Sequence, residues 1–83
     1  MKEVTIYTNR LCPFCYQAKR LFKELGVSFN EVPIDLNPEL RDEMVAKAGK
    51  TSVPQIWIGD SHIGGCDDLY AMHYAGTLPE ALS

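Results

Sequence analysis

The sequence predicts an α/β fold whose elements run β-α-β-α-β-β-α, on three observations. Apolar and polar residues alternate over 4–7, and from residue 13 the apolar residues fall at helical spacing instead. A second strand pattern follows that helix, which completes a βαβ unit with parallel strands and a right-handed crossover. Further on, "PQIWIGDSHIGG" (54–65) sets two short apolar runs around "GDS", a hairpin signal.

Each element has a local cause. "VTIY" (4–7) is β-branched and aromatic, as a strand requires. Pro13 suits a first helical turn, Ala18, Leu21, Phe22 and Leu25 form the buried stripe, and Gly26 stops the helix. "VSFNEVPI" (27–34) is the second strand. Asn37 caps a second helix that opens on Pro38, buries Leu40, Met44, Val45 and Ala48, and ends at Gly49. A last helix begins near Asp67, turns Leu69, Met72 and His73 inward, and runs to Gly76. Trp57, Tyr70 and Tyr74 are expected to serve packing. No linker, repeat or low-complexity segment interrupts the chain, so residues 1–83 are expected to form one domain.

Composition narrows the function. The chain has 83 residues, 46% of them apolar, which fits a small globular core rather than disorder. With a net charge of −3 and no Lys/Arg cluster, it offers no phosphate-neutralising surface for nucleic acid. Lys19, Arg20 and Lys23 read as a solvated helix face. The N-terminus lacks the apolar core of a signal peptide, and no run is long enough to cross a bilayer. The expected setting is therefore the reducing cytoplasm, with no membrane partner, and the expected state is a monomer.

Three cysteines in such a setting do not suggest a secreted disulfide framework. Cys12 and Cys15, in "CPFC", admit a zinc knuckle, a structural disulfide or a redox pair. A Cys12–Cys15 bridge closes too short a loop to stabilise much. Zinc needs four ligands, and Cys66, His62 and His73 do not complete a known spacing, so no metal site is expected. The redox reading fits the placement. Cys12 falls at the mouth of a helix, where free N–H groups and the helix dipole favour a thiolate, the species that attacks disulfides. Cys15 falls on the buried stripe with Ala18 and Phe22. Thiol exchange at a helix mouth needs no general base, so neither histidine is assigned one.

Two further segments belong with this pair. In "SVPQIWI", Pro54 immediately precedes a strand, which suggests a cis Val53–Pro54 bond. That geometry turns the Val53 N–H and C=O outward to an extended peptide. In "GGCDD", Gly64 and Gly65 lead into a helix N-terminus, an anion-binding arrangement. Asp67 there either caps the helix or faces an ammonium group.

With "CPFC", "SVPQIWI" and "IGGCDDL" in this order and spacing, the chain resembles a dithiol glutaredoxin over essentially its whole length. The resemblance implies a thioredoxin-like fold, a mixed four-stranded sheet flanked by three helices. It implies an enzyme that reduces protein disulfides and protein–glutathione mixed disulfides, with glutathione as co-substrate and no tightly bound cofactor. The implied partners are glutathione and disulfide-containing or glutathionylated clients, ribonucleotide reductase being a family-level example. By position, Cys12 is the nucleophile and Cys15 the resolving thiol. Val53 and Pro54 match the edge that pairs with the cysteinyl part of glutathione. Cys66 and Asp67 match the turn that holds its γ-glutamyl end, and Phe14 supplies an aromatic wall. Relatives often carry Lys and Thr where this chain has Asn9 and Leu11, which leaves Arg10 and Arg41 as candidate cations for the glycyl carboxylate. Two alternatives remain: a redoxin coupled to thioredoxin reductase, and a glutathione-ligated iron–sulfur carrier. The turn at 64–68 argues against the first, and Pro13 with Cys15 against the second.

Overall fold

Alternation along the first strand sends Val4 and Ile6 to one face of a sheet and Tyr7 to the other, and the fold is built on that split. The computed structural model describes residues 1–83. Its strands are β1 (Val4–Thr8), β2 (Asn30–Pro33), β3 (Gln55–Ile58) and β4 (Ser61–Gly64); its helices are α1 (Pro13–Glu24), α2 (Pro38–Ala48), α3 (Cys66–Ala75) and α4 (Leu78–Leu82). The strands form one sheet in the order β2-β1-β3-β4. β1 runs parallel to β2 and antiparallel to β3, and β3 pairs antiparallel with β4.

The larger core lies on the Ile6 face. There Val4, Ile6, Ile56 and Ile58 meet Ala18, Leu21 and Phe22 of α1, Leu69 of α3, and both leucines of α4. Phe22 is fully buried, and truncating such a side chain to Ala costs about 3–5 kcal/mol. On the other face Tyr7 and Trp57 pack with Ile34 and with Met44 of α2. Of the stripe expected on α2, only Met44 is fully buried; Leu40, Val45 and Ala48 are half-buried around it.

The structure corrects the sequence reading at six places. Leu25, expected on the buried stripe of α1, is the cap beyond its last turn and is exposed. α4 is a fourth helix beyond the expected three. A five-residue helix is too short to show periodicity, but Leu78 and Leu82, one turn apart, both enter the core. The Leu82 carbonyl also accepts from Lys2 N–H at 2.7 Å, tying this end to the start of the chain. β2 starts at Asn30 rather than residue 27, because Val27 N–H is taken by the Phe22 carbonyl at 2.9 Å in the stop of α1. The hairpin turn is Gly59-Asp60 alone, with Ser61 already paired to Ile58. α3 begins at Cys66, one residue early, capped by an extended Gly65. Tyr74 is 80% exposed and packs no core, since the Leu69 side of α3 faces inward.

Candidate active site

The connection from β1 to α1 is a tight turn organised by Asn9. Its Oδ1 accepts from Leu11 N–H at 2.9 Å and its carbonyl from Cys12 N–H at 3.2 Å. The turn delivers Cys12 as the N-cap of α1, in extended geometry, with Pro13 next. A capping side chain accepts from an orphan N–H of the first turn, and here that acceptor is sulfur. Cys12 Sγ accepts from Cys15 N–H at 3.1 Å. Any negative charge that develops on this sulfur therefore meets a donor already aimed at it.

Cys15 lies one turn further on and is 1% exposed. Burial, then the hydrogen bond that its S–H donates to Cys12, pushes its thiol up to about 12. One cysteine is thus reachable and the other sheltered as a thiol.

The Cys12 thiol also points across to the segment before β3, 3.6 Å from the Val53 carbonyl. The Val53–Pro54 bond is cis. Neither the N–H nor the C=O of Val53 enters a backbone–backbone hydrogen bond; the C=O meets only the Cys12 thiol, so both can turn to an extended ligand once that thiol is ionised. Beside this edge opens a cleft of about 210 Å³. Ser52, Val53, Pro54 and Gln55 line it from the β3 side, and residues 65–68 line it from the mouth of α3. Phe14 and Lys50 complete the lining.

The mouth of α3 is capped from within. Asp68 Oδ2 accepts from Gly65 N–H at 2.9 Å, which supplies one half of a capping box. The capping carboxylate is Asp68, which leaves that of Asp67 uncommitted, although both residues line the cleft. Gly64 must be glycine: its φ is +115°, and a Cβ there would run into the Asp68 carboxylate. The first N–H groups of a helix have no intrahelical acceptor, so those of Cys66 and Asp67 are open to an anion. The Cys66 side chain is buried, its Sγ 4.0 Å from Gln17 Oε1. Burial, with the charge of Asp67 behind it, raises its thiol above the ordinary range.

Of the residues singled out in the sequence, Phe14, Val53, Pro54, Cys66 and Asp67 line the cleft, and Cys12 reaches it through Val53. Arg10 and Arg41 do not. Arg10 Nε is held by Asp35 Oδ2 at 2.7 Å, and this guanidinium keeps the Asp35 carboxyl below its usual range. Arg41 is exposed on α2, outside the lining. The cation that does line the cleft is Lys50, which sequence reasoning missed; its one signal is its place three residues before Val53. The cysteines and histidines form no cluster of three or more fit to hold a metal ion. No helix is long and apolar enough to cross a membrane.

A CxxC pair at a helix mouth, set against a cis-proline edge on a β2-β1-β3-β4 sheet, defines a thioredoxin-like dithiol protein. The family model for glutaredoxin matches residues 4–63. A glutaredoxin of Pseudomonas aeruginosa is 54% identical over 83 residues, 100% of this chain and 99% of the relative. The solution structure of Brucella melitensis glutaredoxin is 48% identical and superposes with a TM-score of 0.87, over 99% of this chain and 89% of that one. A buckwheat glutaredoxin–glutathione complex, 27% identical, reaches 0.89 over 98% and 76%. The chain belongs to the glutaredoxin family, whose members are thiol–disulfide oxidoreductases that use glutathione as a substrate.

Proposed function

We propose that this protein reduces protein disulfides and protein–glutathione mixed disulfides, drawing electrons from glutathione, with Cys12 as nucleophile and Cys15 as resolving thiol. The observation that carries the reading is the Cys12 sulfur lying 3.6 Å from the Val53 carbonyl, at the edge of a peptide-sized cleft. Glutathione lies along that edge in extended form, its cysteinyl backbone pairing with the N–H and C=O of Val53, the latter given up by Cys12 as its thiol ionises. Its γ-glutamyl carboxylate meets the N–H groups of Cys66 and Asp67, and its ammonium the Asp67 carboxylate. Lys50 takes the glycyl carboxylate, the role expected of Arg10 or Arg41, and Phe14 with Pro54 walls the thiol end. The buckwheat relative, solved with glutathione, supports the choice of ligand.

On a glutathionylated client, the Cys12 thiolate attacks the glutathione sulfur. A Cys12–glutathione disulfide forms, and the client sulfur leaves with the electron pair and takes a proton. A second glutathione thiolate then attacks the bound glutathione sulfur. Oxidised glutathione departs, and Cys12 leaves as a thiolate onto the waiting Cys15 N–H. On a client disulfide, Cys12 becomes tethered to the client, and the Cys15 thiolate attacks the Cys12 sulfur to release the client as a dithiol. The resulting Cys12–Cys15 disulfide is reopened by two glutathiones. Once Cys12 is tethered, its hydrogen bond and charge no longer raise the Cys15 thiol, although burial, the largest cause, still does. Tethering thus lifts part of what keeps Cys15 protonated.

The test is turnover of a glutathionylated peptide by purified protein, with glutathione and glutathione reductase in one arm and thioredoxin reductase alone in the other. Turnover in the first arm is expected. Turnover confined to the second would replace this reading with a redoxin coupled to thioredoxin reductase.

A further inference from the structure

A hydrogen-bonded chain runs from the cleft wall to the far strand of the sheet. Gln55 is 1% exposed, yet both ends of its amide are satisfied. Nε2 donates to the Ser52 carbonyl at 3.0 Å and to Ser52 Oγ at 3.3 Å, while Oε1 lies 2.7 Å from His62 Nε2. A carbonyl only accepts, so the amide nitrogen must face Ser52 and the amide oxygen must face His62. His62 Nε2 therefore carries the proton and donates. The imidazole is oriented in turn by Trp57, its cross-strand partner, with ring centroids 4.6 Å apart and planes 28° apart.

We propose that His62 is a positioning residue for glutathione, acting through Gln55. Its N–H orients a buried amide that pins Ser52, and Ser52 is joined directly to Val53, whose free backbone groups form the docking edge. The proposal rests on the reading of that edge given above. Without the His62 donor, the Gln55 oxygen is left buried and unpaired, and the amide turns or draws in water to satisfy it. Either response loosens the hold on Ser52 and shifts the edge. Contacts made through this edge hold ground state and transition state alike, so the effect falls on KM more than on kcat.

Two substitutions separate the donor from the packing. His62→Phe keeps a ring against Trp57 and removes the N–H, whereas His62→Gln loses the ring and restores an N–H at similar reach. With a glutathionylated peptide, His62→Phe should raise the KM for glutathione roughly 3- to 10-fold and lower kcat by less. His62→Gln should recover most of that affinity. A KM for His62→Phe equal to wild type, or one for His62→Gln as poor as for His62→Phe, would overturn the proposal. If wild type showed no glutathione-dependent turnover, the functional reading would fall, and exchange of the Gln55 side-chain amide protons would decide the relay alone. Those protons should be protected in wild type and His62→Gln and exposed in His62→Phe; equal protection in all three overturns it.

Discussion

At the mouth of α1 the capping atom is the Cys12 sulfur; at the mouth of α3 it is a carboxylate oxygen of Asp68, three residues inside the helix. Both helices carry a cysteine at their start, as the cap of α1 and as the first residue of α3. At α1 the reactive atom itself occupies the orphan donor, so the helix end serves sulfur chemistry. At α3 the cap is satisfied from within, so the N–H groups of Cys66 and Asp67 stay free for a ligand and the Cys66 thiol is turned into the core. On the proposed function, the same shortage of acceptors at a helix N-terminus is thus spent once on a nucleophile and once on an anion site. Which use results depends on where the capping group stands.

The largest effect expected from this contrast concerns the sheltered thiol of α1. An acid whose folded value rises from about 9 to about 12 keeps its proton longer in the fold than in the unfolded chain. At pH 9 about half of the unfolded thiol is ionised, so the Cys15 thiolate should be roughly several hundredfold scarcer in native protein than in urea. Peptide mapping after iodoacetamide should show that slowing at Cys15. For the same reason, reduced wild type should lose stability relative to Cys15→Ser as pH rises above 9, because the unfolded state then binds fewer protons than the native. Equal alkylation of Cys15 in native and unfolded protein would erase the distinction between the two thiols.

Asp67→Ala comes next and addresses the α3 mouth. It should raise the KM for glutathione by roughly tenfold, with a smaller fall in kcat and little change in urea midpoint, because on the proposed function Asp67 meets the ligand's ammonium and caps nothing in the fold. Asp68→Ala should do the reverse. Loss of the cap should cost about 1 kcal/mol in urea unfolding, with glutathione affected only through a frayed first turn. If Asp67→Ala were the destabilising change and Asp68→Ala the one that weakened glutathione, the two carboxylates would have their roles exchanged. The smallest effect is expected from Cys66→Ser, since the backbone N–H remains; turnover should stay within about twofold of wild type.

Residues whose work is local were legible in the sequence. The spacing of Cys12, Pro13 and Cys15 after a strand places one thiol at a helix mouth and one on the buried stripe, and the structure has both. The position of Pro54 before β3 indicated the cis bond. What escaped the sequence depends on side chains meeting across elements. Asp67 and Asp68 are chemically identical, and only the φ of Gly64 and the extended cap at Gly65 decide which one folds back. Lys50 joins the cleft because the chain from α2 to β3 passes beside it, a matter of path rather than pattern. Gln55 and His62 look like ordinary strand polar residues until the β3–β4 register sets His62 opposite Trp57, within reach of the Gln55 side chain. Asn9 was read only as a missing lysine, and it proves to organise the turn that presents Cys12.

The proposed division between a half-buried attacking thiol and a fully buried resolving one is tested most directly by Cys15→Ser, with turnover measured on a glutathionylated peptide and on a client disulfide. The glutathionylated peptide should be reduced at close to the wild-type rate. Reduction of the client disulfide should be largely lost, with a Cys12–client mixed disulfide accumulating on a non-reducing gel. Cys12→Ser should abolish both. Equal loss of both activities in well-folded Cys15→Ser would contradict the account.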